Sequence, residues 1–382
     1  MRRSLFIALA LSAPLGPAWG ETPTPFAAPS APQTPVFKIL APAQSFDPSI
    51  FAEFEEFHGV NVLVDAIDAG PAPTSHLRLS GYDLVLLPTA ALKRAAEKGD
   101  LREWSASALS GLRKTPPDLA KKFAAYGAAA RFAVPYEWTA VGIAYDSQRA
   151  VSRVGGPPTW ASLFQPDTQR LLLDCGLALP DERDALFFGA WKALGVDPAK
   201  AQEMNVAPAA FLVTRARKNA RVFGANDIGG VFATGGACIG VATFGEVASA
   251  RARSPANGDV DVRFAAPKDG AGIIFDALAS PKDATDADKI EAMLAFLARP
   301  DIASKNAAYS GNWDAFDANF PTPLANLEPL GGMDQKVEAK VDAAWTSARL
   351  SEPPQLPPKR PRAVPAHLPF RESDFPSFAH LR

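Results

Sequence analysis

Residues 132–145 read FAVPYEWTAVGIAY, an apolar and aromatic run that breaks the rhythm of strands and helices around it. Val134, Pro135, Tyr136, Trp138, Val141, Gly142, Ile143 and Tyr145 make it one long extended segment. It is about twice the length of an ordinary strand. On its N-terminal side the chain alternates between strands and helices. Val36 to Leu40 is a short apolar strand, and Ile50, Phe51, Phe54 and Phe57 follow at helical spacing until Gly59. Val60 to Val64 alternates as a strand. Tyr82 to Leu87 is the near-continuous apolar run of a strand covered on both faces, and Ala90 to Lys98 is a helix ended by Gly99. On its C-terminal side the same rhythm resumes. Leu171 to Asp174, Ala237 to Thr243, Val260 to Ala265 and Ile273 to Leu278 read as strands. Asp184 to Leu194, Phe244 to Ala252 and Ala287 to Leu297 read as helices, the last with Ile290, Met293, Leu294 and Leu297 on one stripe. Two α/β regions joined by an extended crossing segment predict two lobes, each on a largely parallel sheet, with a cleft that closes about a hinge.

The ends differ from this middle. Arg2 and Arg3, the apolar stretch Leu5 to Ala13 and the small residues of Ala18-Trp19-Gly20 have the layout of an export signal over 1–20. Residues 21–35 are rich in Pro, Ala and Thr and read as a linker. Residues 350–382 are dense in Pro and basic residues and read as an extended tail. The expected division is therefore 36–131 with part of 282–347 in the first lobe, and 132–281 as hinge segment and second lobe. Removal of the leader would leave 362 of the 382 residues, and 37 basic against 41 acidic side chains where the full chain has 39 against 41. That mild acidity excludes a nucleic-acid partner. Four His and two Cys make no zinc site. Cys175 and Cys238 can be paired or be two buried thiols, since spacing in sequence does not give their separation in space. No dinucleotide fingerprint, phosphate-binding loop or nucleophile elbow is present, so the reading is not an enzyme, with no cofactor and no metal.

Four stretches carry a resemblance. They are Gly81-Tyr82-Asp83-Leu84-Val85, Val134-Pro135-Tyr136-Glu137-Trp138 continuing to Gly142-Ile143, Thr159-Trp160-Ala161-Ser162-Leu163-Phe164, and Phe296-Leu297-Ala298-Arg299-Pro300-Asp301. In this order the chain resembles the periplasmic spermidine/putrescine-binding proteins of bacterial ABC importers, a branch of the type II solute-binding fold. The resemblance implies a two-lobed periplasmic binding protein, a monomer, that captures a small cationic ligand and passes it to an ABC transporter permease. It also implies a site in which carboxylates meet ammonium ends and rings line the methylene chain. By position in the motifs, Asp276 is the principal amine-binding acid, Glu246 a second and Glu182 a third, and Thr89 offers a hydroxyl. Gln44 and Phe46 stand in the first ligand loop, Phe244 beside a cage position and Trp313 in a cleft-facing loop. Several family rings are missing: Phe46 is the only aromatic in residues 41–46, Thr89-Ala90-Ala91 has none, and Thr243 and Ile274 replace two more. Each residue also has a plainer role open to it. Asp276 can cap or pair structurally, Glu246 can serve the start of its helix, Glu182 can belong to a solvated helix start, and Trp313 can be core. A second use of the same fold is a receptor or scaffold whose cleft has decayed and whose tail binds a partner.

Overall fold

The computed structural model describes residues 34–67, 77–225, 227–254, 260–317 and 326–350. The predicted leader, most of the linker and all but the first residue of the predicted tail lie outside them. Twelve strands are found among the described residues: β1 (Val36–Pro42), β2 (Asn61–Ile67), β3 (Leu84–Pro88), β4 (Leu101–Arg102), β5 (Ala133–Asp146), β6 (Leu177–Leu179), β7 (Val222–Phe223), β8 (Ile239–Thr243), β9 (Val262–Ala265), β10 (Ala271–Pro281), β11 (Trp313–Asp314) and β12 (Leu327–Pro329). The main sheet runs β2-β1-β3-β10-β5-β8-β6-β7. β1, β2 and β3 pair parallel at one end, and β8, β6 and β7 pair parallel at the other. Between them stand the two long strands, β5 and β10, antiparallel to each other.

These two strands belong to both halves. β5 pairs with β10 from Ala133 to Val141 and with β8 from Val141 to Tyr145. β10 reaches β3 only with its later residues, Asp276 to Ala279. The predicted crossing segment is therefore β5, and β10 is a second crossing strand beside it. Each lobe buries apolar side chains on both faces of its sheet. In the first, Phe37, Ile39, Leu84 and Leu86 pack under the helices Ala287–Leu297 and Pro300–Ser310, while Val85, Leu87 and Leu92 form the opposite layer. In the second, Trp160, Phe187, Phe188 and Trp191 form the main layer, and the helix Gln335–Leu350 joins it through Val337, Val341 and Trp345. The chain thus crosses back a further time after the first lobe's late helices.

Two local findings depart from the sequence reading or close a choice it left open. The apolar run at residues 171–174 is a turn, and the strand begins later, at Leu177. Leu171 and Leu173 are 51% and 40% exposed, so this run is not buried on both faces as a strand of the core would be. Cys175 and Cys238 are joined by a disulfide with Cα atoms 5.5 Å apart, tying the entry of β6 to the entry of β8.

Candidate functional site

Pro135 has no N–H to give to a sheet ladder, and β5 accommodates it with a bulge. Asp276 opposes Glu137, but the next residue, Ala277, opposes Pro135, so Tyr136 is the extra residue. The Tyr136 carbonyl finds a donor outside that ladder, the N–H of Ala315 at 2.9 Å. The bulge changes which side chains face which way. Val134 and Tyr136 enter one core layer of the first lobe, while Trp138 and Ala140 enter the other. Glu137, at the change of face, stands across from Asp276. Without the extra residue, alternation would send Glu137 toward the opposite layer. The sheet crossing thus carries two carboxylates side by side, next to the end of β3, because Asp276 also opposes Pro88.

Glu137 is 0% exposed. Ser310 Oγ donates to its Oε2 at 2.8 Å and Asn312 Nδ2 at 3.0 Å, while its buried Oε1 has no hydrogen-bond partner among the described residues. Burial pushes its carboxyl up to about 8, with Asp276 and Asp314 adding to the rise against the two donors. Asp276 keeps some accessible surface but is enclosed by protein, and that enclosure raises its carboxyl to about 7. No hydrogen bond or ion pair from the described residues reaches the Asp276 side chain.

Glu246 has an ordinary task as well as a place near the cleft. Thr243 N and Thr243 Oγ1 donate to its carboxylate at 2.7 and 3.0 Å, and its own N–H donates back to Thr243 Oγ1 at 3.1 Å. This is a capping box at the start of the helix Phe244–Arg253. Burial raises its carboxyl all the same. Glu182 precedes the helix Arg183–Ala193 without capping it. Its side chain is exposed, yet surrounding protein raises its carboxyl, as do Asp184, Asp181 and Glu246, while Arg94 lowers it. Glu182 and Glu246 are therefore within electrostatic reach of each other. Thr89 is buried at the start of the helix Thr89–Lys98.

Trp313 is stacked between Trp138, at 4.5 Å and 30°, and Phe244, at 4.3 Å and 27°. Phe244 meets Phe264 edge-on at 5.6 Å. Since Trp313 belongs to the first lobe's loop and Phe244 to the second lobe's helix, this stack joins the lobes. The other two candidates in the first loop part company. Phe46 is packed into the first lobe against Phe51 and Tyr136, so its ring serves the core. Gln44 is exposed and has a left-handed backbone, φ 63°, an uncommon conformation for a residue with a side chain.

The lobes meet at two further places. The backbone of Gly245 touches that of Gly311. Lys93, on the helix Thr89–Lys98 of the first lobe, pairs with Glu338 on the second, and Arg183 pairs with Asp184 at 2.6 Å, with Glu338 at 3.1 Å and with Asp342. The crevice among Thr89, Arg94, Arg183, Gly331 and Glu338 encloses only about 10 Å³, close to the minimum for one water. The lobes are shut. An open cavity of about 370 Å³ lies on the first lobe, lined by Leu112, Arg113, Phe123, Val134 and Phe316 among others, and none of the candidate site residues lines it.

Sequence reasoning passed over Glu137. The signal was present: a glutamate in the middle of an otherwise apolar run, where a carboxylate is almost never buried without a partner. Among the described residues, no group of three or more His, Cys, Asp and Glu is placed to hold a metal ion, and no helix is long and apolar enough to cross a membrane.

Comparison with known proteins fits this geometry. The family described as bacterial extracellular solute-binding protein matches residues 49–325. The chain belongs to that family. The putrescine-binding periplasmic protein PotF of Escherichia coli is 32% identical over 327 residues, covering 79% of this chain and 88% of the relative. A putrescine/agmatine-binding protein of Pseudomonas aeruginosa is 24% identical, covering 78% and 87%. Among solved structures, the spermidine/putrescine ABC transporter substrate-binding protein PotD of Streptococcus pneumoniae superposes with a TM-score of 0.65 at 19% identity, covering 82% of this chain and 98% of its own. The resemblance read from the four motifs and the two-lobed α/β fold agree with these relatives. In this solute-binding protein, β5 and β10 are the hinge-crossing strands, and the paired carboxylates sit on them.

Proposed function

We propose that this chain is the substrate-binding component of an ABC importer, capturing a small cationic amine, polyamine-like, between its lobes in the periplasm and presenting the closed form to a permease. The observation that carries the reading is Asp276. It is a carboxylate at the lobe crossing, enclosed by protein, with no cation or hydrogen-bond donor of the described chain upon it. Enclosing a carboxylate without a partner is costly, and a bound ammonium offsets that cost. The relatives' names, as putrescine- and spermidine-binding proteins, support the same ligand class. Phe244 and Trp313 supply apolar faces beside the acids, and Glu182 with Glu246 forms a second negative pole for a far ammonium end. Capture works by population shift. A ligand that bridges both lobes binds the shut state better and holds it, so the reading is binding and release by a monomer, without covalent chemistry.

A thermal-shift and calorimetric panel of putrescine, spermidine and shorter amines tests it. At least one of them should raise the melting temperature and bind with measurable heat. A folded protein that responds to none refutes amine capture.

A further inference from the structure

Amine capture by Asp276 leaves Glu137, buried across the ladder from it, without a task. Glu137 is held rigidly by Ser310 and Asn312 through Oε2, which fixes where its bare Oε1 can be. That atom belongs to a fully buried side chain directly across the ladder from Asp276, where opposed side chains share one face at close range. Among the described residues, no ion pair reaches either carboxylate. Asp314, on β11, is occupied by Arg113 at 3.1 Å and by the Phe316 N–H at 2.7 Å. The Tyr136 phenol, one residue back, receives Asn306 Nδ2 at 2.5 Å. From the helix Pro300–Ser310 and the loop after it, the groups that face Glu137 are the neutral Ser310 and Asn312.

We propose that Glu137 is a second cation-binding carboxylate which, with Asp276, forms a two-carboxylate seat for one positively charged head group, and that the empty seat keeps a proton which the ligand expels. This rests on the amine-capture reading and adds to it. Two adjacent carboxylates in a protein interior cannot both be charged without a counter-ion, so one holds a proton until a cation arrives. The raised positions of both groups, about 8 and about 7, accord with that. On binding, the proton leaves a carboxyl oxygen for solvent, and N–H donors of the ligand take its place. No covalent bond of the ligand changes. An ammonium has three such donors and a guanidinium five, enough to reach both acids at once. The pair titrates as a unit.

Titration calorimetry of the full chain with putrescine, in buffers of different ionisation enthalpy, reads the exchange directly. About one proton should be released per ligand near neutral pH, and affinity should rise by up to about tenfold per unit between about pH 6 and pH 8, while the amine keeps its own charge. Glu137→Gln keeps the shape and can still meet Ser310 and Asn312. It should weaken binding at least about tenfold near pH 8 and flatten the pH dependence. A folded Glu137→Gln protein that matches the wild type in affinity, slope and proton count overturns the proposal. If that variant does not fold, the wild-type proton count decides, and binding with no proton released also overturns it. A wild type that binds neither putrescine nor spermidine at any pH overturns amine capture itself and the seat with it, so the two failures are told apart.

Discussion

The approach of Gly245 to Gly311 allows closure to be tested apart from ligand chemistry. Gly245 is the second residue of the helix Phe244–Arg253, and a Cβ placed on it would lie 3.1 Å from Asn312 Oδ1 and 3.1 Å from the Gly311 carbonyl oxygen. Those contacts are a few tenths of an ångström too short, and all of them cross from one lobe to the other. Gly245→Ala should therefore cost little within its own lobe, where alanine favours a helix over glycine by up to about 1 kcal/mol. The shut state alone bears the crowding, at the low end of about 1–3 kcal/mol. An affinity loss of about fivefold follows for alanine. For Gly245→Val, whose added methyls meet the same atoms, the loss approaches about a hundredfold. Calorimetry with putrescine and melting of the unliganded variants give the two readings. Affinity should fall while unliganded stability holds or rises. If both variants bind within about twofold of the wild type, the lobes do not meet at this glycine pair in the bound state, and the closure argument fails.

Three further outcomes follow from the same structure. Asp276→Asn removes the charge while keeping the shape and should weaken amine binding by about 2 kcal/mol or more, roughly thirtyfold, as measured by calorimetry; an unchanged affinity removes Asp276 from the site. Reduction of the Cys175–Cys238 bridge, whose cysteines are 63 residues apart, should release chain entropy worth about 4 kcal/mol and lower the melting temperature, and a melt unchanged by reductant contradicts that. Glu137 and Asp276 have carboxyls raised above their ordinary values of 4.5 and 3.8, so the folded state holds protons that the unfolded chain gives up. Unliganded stability should therefore be greatest below about pH 4 on their account and decline as pH rises through about 7 to 8. Glu137→Gln should lessen that decline in a melting series across pH.

Much of the architecture was legible because burial on both faces of a strand leaves a direct mark. The runs that became β3 and β5 are apolar almost without break, and the helix Ala287–Leu297 shows its stripe. Asp276 stood out as an acid within an apolar strand. The residues at 171–174 misled because apolar composition alone does not say whether both faces are covered. Phe46 and Glu246 show the limit on the site itself: an aromatic and an acid at ligand-like positions also do the ordinary work of core packing and helix capping.

By itself the sequence determined two α/β regions, their crossing strand and an acid at the strand edge, since periodicity and apolar runs are local properties. Only the tertiary structure decided that Glu137 stands beside Asp276, that Phe244 closes on Trp313, and that the two cysteines meet. Each depends on residues more than 60 positions apart in the chain, and a one-residue bulge at Tyr136 selects which carboxylate faces which. Register and lobe closure are set by long-range pairing, and no local pattern encodes them.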